Sequence, residues 1–414
     1  MNKYFKTTVF ALAAMFTFSV SADEVSDLKD MMKELQARID AVEKKSDETA
    51  EIADAAVMAA EEGGTMGWWT NTSIGGYGEL HYGNSEGSGS IDFHRYVLFI
   101  NHEFNDILSF NSEFELEHAI AGEGKVGEVE LEQAYLEHNW KQFGLDNTSA
   151  KYGVFLIPCG ITNETHEPNT FYGVERNTVE KEICSNTRWE GGVQLKHIIP
   201  SQDLTIIAGV HSPLSTKNGD IRSGRQKVGE ATMNVPAYSG AVRYTGAYPG
   251  LELGYSWDYE PDMANNPGTG KQKGPQISGI MHAVHANYMP RIGYGMRAFY
   301  GVWDLDCPAF IGSANTCIQK GRDKQTGGFV EASYRWEVDA DYGQTMGLFV
   351  RRSEQDDKAG TKTSGNLSNN TTRTDFGVNY WLTDNAVLKT DWFRKKVFGE
   401  SSVQGFNLGM GYQF

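Results

Sequence analysis

Charged residues recur at every second position along several stretches of this 414-residue chain. Glu113, Glu115 and Glu117 form one row, and Arg243, Arg297, Arg335, Arg351, Arg373, Lys389 and Lys395 form a later, scattered one. Alternate residues of a strand share a face, so each row would present its charge on one side. Rows of opposite sign facing each other across water create a field that sorts solutes by charge. Glu79, Glu190, Glu252, Asp258, Glu331, Asp375 and Asp391 fall on the same parity as the rows, as do Lys196 and, in a strand whose parity is blurred, Arg95. A third group, Glu164, His166, Glu167, Glu175, Arg176 and Lys181, lies between Cys159 and Cys184.

Other chemistry finds less support. Covalent catalysis needs an aligned nucleophile and base, and no Ser/His/acid spacing here supplies one, so neither an enzyme nor a cofactor is expected. None of the four cysteines sits in a CxxC pair, which argues against zinc. His282 and His285 face opposite sides of a strand. His94 and His102 would share a face, but about 26 Å apart at roughly 3.3 Å per residue. No metal site is expected. The cysteines allow three pairings. Local pairing, Cys159 with Cys184 and Cys307 with Cys317, closes two loops and is the expected one.

The elements that must position these residues are strands. The C-terminal stretch is the clearest: Phe406, Leu408, Met410, Tyr412 and Phe414 alternate with Gly405, Asn407, Gly409, Gly411 and Gln413. One face is apolar and the other small or polar, the pattern of a barrel with lipid outside and water inside. Sixteen such segments are predicted: 72–84, 90–104, 107–119, 128–141, 149–158, 187–199, 202–212, 236–246, 249–260, 276–289, 292–304, 323–337, 342–353, 371–383, 385–398 and 402–414. The fold class is all-β, a 16-stranded antiparallel transmembrane β-barrel over 72–414. Short connections alternate with long ones near 159–186, 213–235, 261–275, 305–322 and 354–370, as periplasmic turns alternate with external loops. Trp68, Trp69, Tyr82, Trp140, Tyr248, Trp257 and Trp381 are expected in interfacial girdles. Sixteen strands leave an aqueous channel, whereas eight are filled by side chains. The segment 159–186, closed by its disulfide, is expected to fold inward and narrow that channel.

Met1 to Ala22 has Lys3 and Lys6 before an apolar run and ends on small residues, a signal peptide. Residues 23–62 lack Gly, Pro and aromatics, and Val25, Leu28, Met32, Leu35, Ile39 and Val42 keep a heptad spacing. This predicts an N-terminal periplasmic coiled-coil helix joining protomers, followed by a linker over 63–71. Mean hydropathy is -0.46. The net charge is -17, of which residues 23–62 carry -8 and the remainder after them -11. That balance argues against a nucleic-acid partner.

The runs FHRYVLFINHEFNDILSFNSEFELEHA from Phe93, VELEQAYLEH from Val129 and YGVFLIPCGITNETHEPNTFYGVERNTVEK from Tyr152, with Trp189 and Gly191 beyond, are similar to the phosphate-selective porin O and P family. The resemblance implies a homotrimeric outer-membrane porin in contact with outer-membrane lipid and lipopolysaccharide. It would pass small ions or solutes by passive diffusion, including anions such as phosphate. Members selective for phosphate have lumens rich in Arg and Lys, whereas the barrel portion of this chain is acidic. The alternative is a structural outer-membrane protein that tethers the membrane to the cell wall through its periplasmic helix.

Overall fold

The computed structural model describes residues 67–264, 276–307, 317–360 and 369–414, with Lys33, Gln36, Arg38, Ile39 and Asp40 helical before them. The signal peptide and all but these five positions of the coiled coil lie outside the described residues. The chain divides after Thr70 into two units, of which the second is a barrel.

Sixteen strands make it: β1 (Thr72–Ser85), β2 (Ser88–Asn105), β3 (Leu108–Glu117), β4 (Val129–Asn139), β5 (Thr148–Leu156), β6 (Trp189–Ile199), β7 (Leu204–His211), β8 (Ala237–Tyr244), β9 (Leu251–Glu260), β10 (Ser278–Tyr288), β11 (Gly293–Asp306), β12 (Lys324–Asp339), β13 (Gln344–Asp356), β14 (Thr371–Thr383), β15 (Ala386–Val397) and β16 (Val403–Gln413). Each pairs antiparallel with its sequence neighbours, and β1 pairs with β16, so the sheet closes. Closure leaves no free edge, which hydrocarbon would not tolerate. The seam runs from Tyr77 opposite Gln413 to Ser85 opposite Gly405. Beyond it, Gly76 and Phe414 exchange both backbone hydrogen bonds, at 3.0 and 2.9 Å.

Alternation in sequence becomes sidedness in space. On β13, Leu348 and Val350 are 50% and 51% exposed on the outer face, while Phe349 and Arg351 are 4% and 5% exposed within. A basic residue on the outer face at mid-bilayer would cost about 2–4 kcal/mol, which keeps the charged parity inside. Phe376, Trp392, Phe406 and Tyr82 make a band across the outside of the seam, with neighbouring ring centroids 5.9–6.0 Å apart. Trp381 departs from the girdle expectation. It faces inward, fully buried, because β14 places it on the parity of Gly377 and Asn379.

Turns confirm the two ends. Asp106–Ile107 and Asp384–Asn385 lie at one end, and the long connections lie at the other. At the long-loop end, β1 and β2 join through Glu86 and Gly87 with φ of 53° and 85°. Positive φ at both central residues suits the twist of a two-residue hairpin.

Among the register shifts in the described strands, two lie within the body of the first strand pairs and break the alternation there. The register shifts between Glu79 and Leu80, which face Arg95 and Phe93, leaving His94 as the extra residue. It shifts again between Glu113 and Phe114, which face Gln133 and Leu131, leaving Glu132 extra. An extra residue switches the parity of everything beyond it. His94 therefore faces the lumen, whereas His102, on the other side of the bulge, faces out and bonds Thr72. This corrects the expectation that the two share a face.

Candidate functional site

The lumen is occupied by the β5–β6 connection, residues 157–188. It descends from β5, turns through a short 3-10 segment (Pro168–Thr170) near the short-turn end, and climbs back as a single helix, α1 (Thr178–Ile183). Asn177 caps that helix, its side chain accepting from the Val179 backbone N–H at 2.7 Å. Contacts place the segment within the wall all the way down. At the bottom, the Asn169 side chain donates to the Asp384 carbonyl, 3.0 Å, in the β14–β15 turn.

The wall holds this segment by its backbone. Trp381 donates to the Asn169 carbonyl at 3.1 Å, Arg297 to Thr170 at 2.8 Å, Asn379 to Phe171 at 3.1 Å and Arg351 to Tyr172 at 3.3 Å. The Val174 N–H donates to Asp391 at 2.6 Å. The ammonium of Lys389 sits 3.7 Å above the Phe171 ring. An irregular segment inside a barrel leaves many peptide groups unpaired, and each would be costly without a partner. The side chains of β11–β15 supply those partners.

Side chains also cross. His166 reaches Glu113 on β3 at 3.3 Å and Glu132 on β4 at 3.6 Å. Burial alone would lower its pKa, but these two carboxylates hold it up at about 9. Glu164 pairs with Arg243 on β8. Glu180 is buried and accepts from the Ile161 N–H at 2.6 Å, the Thr162 N–H at 3.2 Å and the Thr162 hydroxyl. Burial pushes its carboxyl above the usual range despite these donors. Glu180 and the Cys159–Cys184 disulfide, Cα–Cα 5.7 Å, thus tie the two limbs together. Cys307 and Cys317 pair as well, Cα–Cα 5.9 Å.

Glycines on the inner parity make room for the segment. A Cβ at Gly411 would meet Pro168 at 2.3 Å, at Gly347 the Tyr172 hydroxyl at 2.5 Å, and at Gly301 Ile183 at 2.6 Å. The small face of the last strand is therefore a seat. This was the sequence signal for an occupied lumen, had glycine been read as a space rather than as a weak strand former.

The expected charged residues divide into two groups. Glu113 and Glu115 are buried inside the wall of β3, and Glu117 lines a cavity of about 300 Å³ near the long-loop end. Arg297, Arg351 and Lys389 hold the inner segment. Arg335 lies over the Trp381 ring at 3.8 Å, and Arg373 donates to Asp375 at 2.6 Å. Lys395 is exposed, opposite Arg373 near the long-loop rim. Glu167 begins the 3-10 turn, and Arg176 donates to Thr187 at 2.7 Å. Lys181 and Glu175 face the cavity with Arg176.

Its opposite side comes from the β7–β8 connection. Arg222 donates to the carbonyls of Lys181 and Asn186 at 3.0 and 2.8 Å, and Arg225 to Thr187 at 2.6 Å. Burial, then the charge of Arg225, pushes Arg222 down to about 10. Lys227 pairs with Glu128 at 2.6 Å and with Glu130. Sequence reasoning missed Glu130 and Glu132 because the bulge hides their parity. It passed over Arg188, although that residue shares the parity of Glu190 in the predicted segment 187–199. Buried Arg188 binds Glu190 at 3.1 Å, Glu260 at 2.7 Å and Asp258.

No family model matches the chain. An uncharacterized protein of Aquifex aeolicus (strain VF5) is 38% identical over 184 residues, 42% of this chain and 40% of that relative. Among solved structures, OmpF of Salmonella typhi, in complex with daunomycin, aligns with TM-score 0.54 at 15% identity, covering 83% of this chain and 97% of that one. An anion-selective porin from Comamonas acidovorans aligns with TM-score 0.52 at 10% identity, covering 83% and 99%. OmpT, an outer membrane protein of Vibrio cholerae in a trimer form, aligns with TM-score 0.51 at 11% identity, covering 83% and 99%. The chain has the closed 16-strand fold of the outer-membrane porins.

Proposed function

We propose that this chain is an outer-membrane porin, a water-filled channel for passive diffusion of small hydrophilic solutes and ions. One observation carries the reading: residues 157–188 lie inside a closed wall whose inner side is lined by charge, with carboxylates prevailing on β1–β4 and basic and acidic side chains mixed on β11–β15. A segment held in the bore by wall side chains is a constriction, and the charged groups lining it bias permeation by sign. The apolar outer face meets outer-membrane lipid and lipopolysaccharide, with short turns in the periplasm and long connections outside. Assembly as a homotrimer belongs to the same proposal, supported by the trimer form of OmpT and the porin fold.

The finer question is the permeant. Four of the basic residues expected on the lumen parity are committed: Arg351 and Arg373 to carboxylates, Arg297 and Lys389 to the inner segment. Residues facing the open cavity carry both signs. Weak selectivity follows, with anion transport the finer reading to be tested. The wall-tether alternative depends on residues 23–62, which fall almost wholly outside the described residues.

The test is the reversal potential of purified protein in a planar bilayer under a salt gradient, then with added phosphate. Stepwise conductance is expected, and its absence rejects the channel. Anion preference with phosphate block supports the phosphate reading. Cation preference rejects it and assigns control to the carboxylates of β1–β4.

A further inference from the structure

Three histidines and three carboxylates meet where the inner segment touches β1 and β2. The rings of His81 and His94 stack with centroids 4.7 Å apart. Glu175, from the inner segment, reaches between them: its Oε1 lies 2.8 Å from His81 Nδ1 and 3.8 Å from His94 Nε2. One ligand atom from each of these three residues falls within 4.8 Å of the others. Bonds of about 2.0–2.1 Å at tetrahedral angles require ligand atoms roughly 3.3 Å apart, and the two measured separations bracket that value.

A second observation is independent of the first. The ring nitrogens not facing Glu175 are both held by carboxylates: His81 Nε2 by Glu79 at 3.1 Å, and His94 Nδ1 by Asp92 at 3.3 Å. Metal-binding histidines carry such an outer carboxylate, which fixes the ring and raises its basicity. Glu175 is 45% exposed and, with His94, lines the cavity of about 300 Å³, so an ion has an approach and a water has a place as fourth ligand. His118 completes a neighbouring set with Asp92 and His94, its Nδ1 2.8 Å from Asp92.

We propose that His81, His94 and Glu175 bind one divalent transition ion of the zinc class, with Glu79 and Asp92 as orienting carboxylates. Two histidines, one glutamate and a water form a recognised zinc donor set. His81 and His94 belong to the wall and Glu175 to the inner segment, so the ion would clip the segment to the wall.

The test is calorimetric titration of the full-length protein in detergent with Zn²⁺, repeated with Co²⁺ to read coordination from its visible spectrum. One ion per chain with a four-coordinate cobalt spectrum is expected. Binding should vanish in the His81→Ala/His94→Ala double variant and survive in His118→Ala. Asp92→Asn should weaken it about 10–100-fold. Heat-modifiable migration on a gel shows that each variant is still a folded barrel. The assignment is overturned if the wild type takes up no ion or the double variant binds as well as the wild type. It also fails if His118→Ala abolishes binding while His81→Ala does not. The measurement needs no ion flow, so it succeeds or fails independently of the channel reading.

Discussion

At the scale of single residues, the inner segment is held by a few buried groups whose removal should be legible. His166 bonds Glu113 and Glu132, with Tyr77 and Arg95 also packed against it. Its folded pKa of about 9 lies above the ordinary value of 6.5. The contact is therefore fully present below 6.5 and is lost as pH rises through about 9. Single-channel conductance should increase over that upper range, and His166→Gln should remove the step. A pH-independent trace in the wild type would contradict this role. Arg188 carries a different risk, because three buried carboxylates share it. Removing one partner of a buried ionic cluster costs about 3–5 kcal/mol. Arg188→Met should lower the temperature at which the barrel loses its heat-modifiable form, while Arg394→Met, on the exposed outer parity, should not. Gly347→Val tests the seat: its side chain would collide with Tyr172, so the segment should be displaced and conductance should rise.

At the scale of elements, the segment 157–188 is anchored at many points, and the disulfide is one of several ties. Glu180, Asn163 and Asn186 bridge the same two limbs, Asn163 through Arg188. Reduction alone is therefore expected to raise conductance less than deletion of 163–181 does. Equal conductance before and after the deletion, in a folded barrel, would reject the constriction. The strands themselves were legible, because alternation between lipid and water is imposed on every one of them and survives in composition. The segment's placement was partly legible, through its charge and its terminal cysteines. Its partners were not, because contacts such as Asn169 with Asp384 join residues far apart in sequence through the barrel's closure. The carboxylates at 130 and 132 and the outward turn of His102 were hidden for a local reason. A bulge adds one residue, and a strict count by twos then assigns the wrong face until the register is seen.

At the scale of the whole molecule, the wall and its contents depend on each other. The wall's buried inner side is rich in charge, and the inner segment neutralises and hydrogen-bonds much of it. An apolar cluster packs α1 against Trp303, Phe299 and Phe329 of the wall and the loop residues Leu214, Ile221 and Met263 toward the long-loop end. The seam between β1 and β16 shows a consequence for endurance. Pro168 and Val174 press on Gly411 and Gly409 of the last strand, while Glu175 bonds His81 of the first. One stretch of chain from the far side of the barrel thus lies across the joint like a latch. To unzip there, the natural place for a closed sheet to part, the molecule must first withdraw that stretch. Interactions broken on the way to the opened state set an unfolding rate more directly than an equilibrium. The half-life of the folded barrel in denaturant should therefore shorten when 163–181 are deleted, even though none of the sixteen strands loses a residue.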